Sequence, residues 1–294
     1  MGSITIPVLL EVLRQDGTNE SLFDAFTQLI EILIMNDDTG VQFSEMLAKE
    51  SSFLMTYAHF LGLKRTHSKA ILVFKRLVLA SQNCRAFIQQ GILSGSVSLN
   101  AIIALLQCDF VLLDELIIIL INLSRGNRDI QTLSIYAGCI EIVLSLVENE
   151  GGILLGDNRT EKCFDLVGTL LEGNSTGQKY FAGQHEFQVM LKLLDGIEKD
   201  AMYSSRSRRN ISAYFEVMNI FLIGDGSDIV LMQNQICSGI FENVVYFALF
   251  YEIESASSVM GNLLFQNDII RHKVLSELID GEEIINLLIS KSLQ

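Results

Sequence analysis

Residues 113–147, LDELIIILINLSRGNRDIQTLSIYAGCIEIVLSLV, set a pattern that the rest of the chain repeats. A long apolar helix is followed by a polar break, a second amphipathic run, an Ala-Gly corner and a third apolar helix. Within each run the apolar positions fall at i, i+3, i+4 and i+7, the stripe of a helix that must bury one face. The plan returns roughly every 40–50 residues, the period of helical solenoid repeats. It lays out units at 22–61, 70–106, 113–147, 163–194, 214–249 and 255–290.

The polar punctuation recurs with the same regularity. The first long helix of each unit stops at a small polar cluster: Asn36-Asp37-Asp38, Ser81-Gln82-Asn83, Arg125-Gly126-Asn127, Gly173-Asn174-Ser175, Gly224-Asp225-Gly226 and Gln266-Asn267-Asp268. Such residues end one helix and cap the next, because they accept left-handed backbone or bond free N–H groups. Corners of small residues are then predicted at Gln90-Gly91, Ala137-Gly138, Ala182-Gly183, Ser238-Gly239 and Asp280-Gly281, where glycine allows a sharp turn.

One such unit cannot bury its stripe alone, whereas stacked units share a continuous core. The expected fold is all-α: a single domain over 1–294, built as an armadillo/HEAT-like right-handed α-solenoid of about six repeats. The wording I-N-L-S…A-G-C-I…V-L-S-L-V in the third unit favours the armadillo variety. Two segments break the period. Residues 148–162, ENEGGILLGDNRTEK, read as a Gly-rich acidic loop, and residues 196–210, GIEKDAMYSSRSRRN, as a longer polar insertion. Insertions in solenoids map to loops on one edge, where partners often dock.

Composition fits this reading. Hydrophobic residues make up 49% of the chain, with one proline and no tryptophan, which suits a helical protein with a continuous core. A mean hydropathy of +0.36 raises the question of a membrane. Yet the longest apolar runs are interrupted, by Asp114 and Glu115 in one and Glu252 in another, short of a spanning helix. The N-terminus lacks the basic region and cleavage site of a signal peptide, so a cytoplasmic protein without a transmembrane segment is expected. The five cysteines are dispersed without C-x-x-C spacing, which predicts buried free thiols and no structural zinc. A net charge of −14 argues against nucleic acid and leaves protein partners.

With those residues in view, the chain resembles the globular head of the general vesicular transport factor family, the long Golgi vesicle-tethering proteins. Residues 40–47 (GVQFSEML), 113–131 (LDELIIILINLSRGNRDIQ), 148–152 (ENEGG) and 170–188 (LLEGNSTGQKYFAGQHEFQ) carry the likeness, in the family's order. Beyond Asn210 it is only that of the general repeat. The resemblance implies an armadillo-like head and peripheral association with Golgi membranes. It also implies a Rab-type GTPase partner and contacts with tethering or SNARE machinery, in ER-to-Golgi or intra-Golgi vesicle docking. The family's head is longer than this chain and is followed by a coiled coil and an acidic tail, so a fragment or a shortened member is expected. The segment Ile6-Pro7-Val8-Leu9-Leu10 looks like an uncapped repeat end, which predicts self-association into a homodimer.

No catalytic constellation stands out. His59, His67, His185 and His272 are scattered over different units, and no Walker, Rossmann, G-x-S-x-G or H-E-x-x-H pattern occurs. Neither an enzyme nor a cofactor is expected. Asp114 and Glu115 point about 100° apart on a helix and read as the solvated edge of a buried one.

Two partner-binding candidates remain. Asn122 occupies the position where asparagine ladders of nuclear-import adaptors hold a peptide backbone. Equivalent positions read as other residues, such as Thr169-Leu170 in the fourth unit, and a lone asparagine suits packing better. A peptide-binding adaptor, import-like or chaperone-associated, is the alternative function. Arg206, Arg208 and Arg209 form the densest basic cluster, interleaved with Ser204, Ser205 and Ser207. They suit an acidic segment or a lipid headgroup, under control of serine phosphorylation, or simply a solvated surface loop.

Overall fold

The computed structural model describes residues 11–12, 20–63, 65–107, 110–195, 197, 203–223, 227–276, 278–279, 282–284 and 286. The predicted segment 6–10, Cys108 and the punctuation at 224–226 and 280–281 lie outside them. The described residues form helices almost throughout, and the chain divides into two compact units, 1–142 and 143–294.

The first unit contains α1 (Glu20–Ile34), α2 (Gly40–Lys49), α3 (Ser51–Leu61), α4 (His67–Ala80), α5 (Gln82–Leu93), α6 (Leu99–Leu105), α7 (Leu113–Ser124) and α8 (Arg128–Tyr136). The next helix, α9, spans Cys139–Asn149. The long first helices of successive repeats lie side by side, α1 against α4 and α4 against α7. The second helices α2, α5 and α8 form a parallel series behind them. Ion pairs join the first layer across its seams: Lys69 to Asp24 at 2.6 Å, Arg76 to Glu31 at 3.0 Å, and Lys75 to Glu115. Glu115, predicted as a solvated edge, is thus a half-buried seam residue. Beneath the seam Phe23 packs on Phe60 at 4.1 Å between ring centroids and on Tyr57, with Phe53 against Tyr57. Burial removes the hydration that would stabilise phenolate, so the Tyr57 hydroxyl titrates far above the usual tyrosine range.

The second unit contains α10 (Gly152–Leu155), α11 (Asn158–Leu171), α12 (Ser175–Ala182), α13 (His185–Lys192), α14 (Ser205–Ile220), α15 (Ser227–Leu249), α16 (Glu254–Leu264) and α17 (Asp268–Ser276). Here α11, α14 and α16 repeat the first-helix layer, α11 against α14 and α14 against α16. A two-residue antiparallel ladder, β1 (Leu278–Ile279) with β2 (Glu282–Glu283), brackets the corner predicted at Asp280-Gly281.

The predicted punctuation acts as its chemistry dictates. Ser81 Oγ accepts the Cys84 N–H at 3.1 Å and Asn127 Oδ1 that of Ile130 at 3.2 Å. Asn174 Oδ1 accepts the Gly177 N–H at 3.0 Å, and Asn267 Oδ1 that of Ile270 at 3.2 Å. These four clusters thus satisfy an orphan donor at the start of the following helix, whereas Asn36 Oδ1 accepts the N–H groups of Asp38 and Thr39 in the turn before α2, whose N-cap Thr39 makes no side-chain cap bond. Gly138 turns the corner before α9 with φ +77°, backbone that residues bearing a Cβ rarely adopt.

Two predicted corners are not corners. Gly91 lies inside α5, where an added Cβ would stand 2.8 Å from Leu54 Cδ1. Gly239 lies inside α15, which runs unbroken for 23 residues, and a Cβ there would stand 3.1 Å from Leu191 Cδ1 on α13. Both glycines let a neighbouring helix approach closely, a use of the missing side chain that turn chemistry does not reveal.

The four described cysteines, Cys84, Cys139, Cys163 and Cys237, are buried free thiols. Complete burial pushes the Cys139 thiol up to about 12, so the thiolate is not populated near neutral pH. Tyr214 is wholly buried against Phe164, yet its hydroxyl has no hydrogen-bond partner among the described residues. A buried unsatisfied hydroxyl is destabilising. Tyr214→Phe is therefore expected to raise stability by about 1 kcal/mol. A lower urea midpoint for the variant would show that the hydroxyl is satisfied.

Candidate binding surfaces

The signature position of the first-helix layer holds more asparagine than the sequence reading assigned. Asn122, Thr169 and Asn262 each stand five residues before a capping asparagine, namely Asn127, Asn174 and Asn267. Stacking adds Asn219. Ser212 on α14 bonds Ser255 on α16 at 3.1 Å, and Asn262 Nδ2 donates to Asn219 Oδ1 at 3.0 Å, both pairs 43 residues apart. Asn219 and Asn262 are therefore equivalent positions of adjacent repeats. The signal was available in V-M-N-I-F and M-G-N-L-L, but serine does not follow the leucine there as it does in I-N-L-S.

These amides bond to the protein itself. Asn219 Nδ2 donates to the Ser255 carbonyl at 3.2 Å, and Asn122 Nδ2 to the Ile118 carbonyl of its own helix at 2.9 Å. Behind them Gln233 Nε2 donates to the carbonyls of Asn262 and Phe265, at 2.8 and 2.9 Å, and Asn267 Nδ2 donates to Gln233 Oε1 at 3.0 Å. In the second unit this amide network fastens α14, α15 and α16 to one another.

The two segments that break the repeat period meet. Residues 205–210, read from sequence as part of a polar insertion, form the first turns of α14, with Ser204 as cap accepting the Ser207 N–H at 3.1 Å. Ser207 is buried, and its Oγ donates to the Leu154 carbonyl at 2.8 Å. Asn210 is wholly buried, and its Nδ2 donates to the carbonyls of Ile153 and Gly156, both at 3.0 Å. The Gly-rich loop is thereby held along one turn of α14. Gly151 and Gly152 enter it with φ of +97° and +74°, and α10 is its single helical turn.

The electrostatics of this junction follow from its partial burial. Arg159 and Glu150 form an ion pair in which both side chains are mostly buried. Burial and the nearby Asp157 push the Glu150 carboxyl up, while Arg159 opposes them. The three candidate arginines diverge. Arg209 Nε donates to Glu161 Oε2 at 3.3 Å, with both side chains well exposed. Arg208 Nη2 donates to the Tyr251 carbonyl, a neutral acceptor, at 2.6 Å, and Arg206 is exposed without an ion pair among the described residues. Of the interleaved serines Ser205 is exposed, Ser204 caps the helix and Ser207 is enclosed.

A third feature had no sequence signal. A groove of about 540 Å³ runs between α12 and the first half of α15. Phe221, Ile223, Leu231 and Met232 line it together with the polar Gln178 and Lys179. No group of three or more histidine, cysteine, aspartate or glutamate side chains among the described residues is placed to hold a metal ion. No single helix among them is long and apolar enough to cross a membrane.

Stacked first helices, capped short second helices and the signature asparagines define an armadillo-like helical-repeat fold. That fold is the one seen in the crystal structures of Uso1-1 and Uso1-2. The first superposes with a TM-score of 0.85 at 16% identity, covering 97% of this chain and 51% of the other. The second superposes with a TM-score of 0.81 at 17% identity, covering 92% of this chain and 46% of the other. This chain thus spans about half the length of the solved chains it matches. No family model matches it and no curated protein matches its sequence.

Proposed function

We propose that this chain is a non-enzymatic scaffold for vesicle tethering, acting in the cytoplasm at Golgi membranes. The observation that carries this is the extent of the fold match: nearly the whole chain follows the path of Uso1, a vesicle-tethering factor. The residues that gave the resemblance to a tether head lie in those same repeats: 113–131 on α7 and α8, 148–152 at the entry to α10, and 170–188 on α12 and α13. A Rab-type GTPase is the proposed membrane-bound partner, with tethering or SNARE machinery as the second, and the 1–294 repeat array serves as one platform for both. Asn122 acts within this platform by tying the end of α7 to its own backbone.

Affinity capture on immobilised Rab-family GTPases, each loaded with GDP or a non-hydrolysable GTP analogue, tests the proposal. GTP-selective retention of one early-secretory member is the expected result. Retention that ignores the nucleotide, or none at all, would count against the reading.

A further inference from the structure

The chain carries 35 acidic against 21 basic residues, yet one helix start concentrates positive charge. Arg206, Arg208 and Arg209 place three arginines in four consecutive residues, a density no other segment reaches. They are exposed while Ser207 and Asn210, between and beside them, are buried anchors. The guanidinium groups therefore project from a fixed backbone, which lowers the ordering cost of binding.

Two exposed apolar residues neighbour the carbonyls that this turn holds. Ser207 holds the carbonyl of Leu154, next to Leu155, which is 82% exposed on α10. Arg208 holds the carbonyl of Tyr251, next to Phe250, which is 46% exposed. Leu155 and Phe250 thus each follow or precede a residue whose carbonyl is held by residues 207–208. The neighbouring carboxylates are partly committed. Asp157 caps α11 through the Arg159 N–H at 2.7 Å and Glu161 faces Arg209, while Glu252 and Glu254 lie beyond Tyr251. Arg206 and Arg208 are exposed and form no ion pair among the described residues.

We infer that Arg206, Arg208, Leu155 and Phe250 form a docking surface for an acidic segment of a partner protein that also presents apolar side chains. Charge complementarity steers and orients such a segment, and the apolar anchors supply the burial that holds it. Arg208 contributes a planar fork with donors to spare for a carboxylate. The inference deepens the scaffold reading by giving chemistry to the non-GTPase partner, and it does not require the GTPase.

The test is to pan a phage-displayed random dodecapeptide library against the whole chain, then measure the best synthetic peptide by fluorescence anisotropy. Selected peptides are expected to combine Asp or Glu with Leu or Phe, and their affinity to fall as sodium chloride is raised. Arg206→Glu and Leu155→Ala, both at exposed positions, should each weaken binding by roughly tenfold with the thermal transition unchanged. Selected peptides without acidic bias, or affinities unmoved by both variants, would overturn the inference. So would phosphatidylserine–phosphatidylcholine vesicles binding in an Arg206-dependent manner while no peptide is selected, which would make the surface a membrane contact. GTPase capture run on the parent chain and on Arg206→Glu separates the two proposals: retained capture with lost peptide binding locates partners on different surfaces, and Arg206-dependent peptide binding with no GTP-selective capture by the parent chain leaves only this one standing.

Discussion

Phe187→Ala should lower the stability of the second unit by about 3–5 kcal/mol, the range for emptying a buried aromatic site. Phe187 is fully buried at the start of α13, with Phe181 edge-on at 5.9 Å and Phe221 at 5.3 Å between ring centroids. Those two rings come from α12 and from the turn that ends α14, so one side chain holds three segments together. Neither neighbour can collapse into the space without giving up its own contacts, which places the loss in the upper part of the range. In a unit of this size each kcal/mol moves Tm by roughly 2–4 °C, so the thermal transition should fall by about 10 °C. Phe187→Leu, which keeps most of the bulk, should recover much of it. A transition within a degree or two of the parent for Phe187→Ala would mean that α13 is not packed as described.

Asn210→Ala should be the costliest polar substitution, at about 2–4 kcal/mol for two buried carbonyls left without donors. Those carbonyls belong to Ile153 and Gly156, so the damage falls on the loop that α14 supports. Gly156 lies so close under α11 that a Cβ on it would stand 2.0 Å from Thr160 Oγ1, and the loop cannot shift to find new donors. The expected signature is a lowered urea midpoint together with faster proteolysis near residues 150–157. A variant that loses stability without exposing that segment would show that Asn210 matters for packing in α14 alone.

The first-helix layer was legible because a 3.6-residue stripe is a physical requirement of any helix buried on one face, and the caps because a polar side chain must meet the next free N–H. Glycine was ambiguous. In Ala137-Gly138 it supplies a left-handed turn, whereas in Gln90-Gly91 and Ser238-Gly239 it makes room for Leu54 and Leu191. Nothing local distinguishes the two uses, because the second depends on a helix distant in sequence. The run S-S-R-S-R-R-N misled for a similar reason. Its composition is that of a loop, but a serine cap followed by arginines also starts a helix, and the partners of Ser207 and Asn210 lie 53 to 57 residues away. The pairing of Asn219 with Asn262 was hidden only by the residues around it, since counting back from Asn267 locates one member. The groove between α12 and α15 is a property of packing alone.

The junction of the two period-breaking segments has a further consequence. Because Ser207 and Asn210 hold the carbonyls of Ile153, Leu154 and Gly156, opening the Gly-rich turn by itself would break three bonds to α14. Hydrogen exchange is therefore expected to show its amides opening together with the beginning of α14, so that two stretches separated by a whole repeat behave as one foldon. The Gly-rich turn and the start of α14 can then be grafted elsewhere only as a pair.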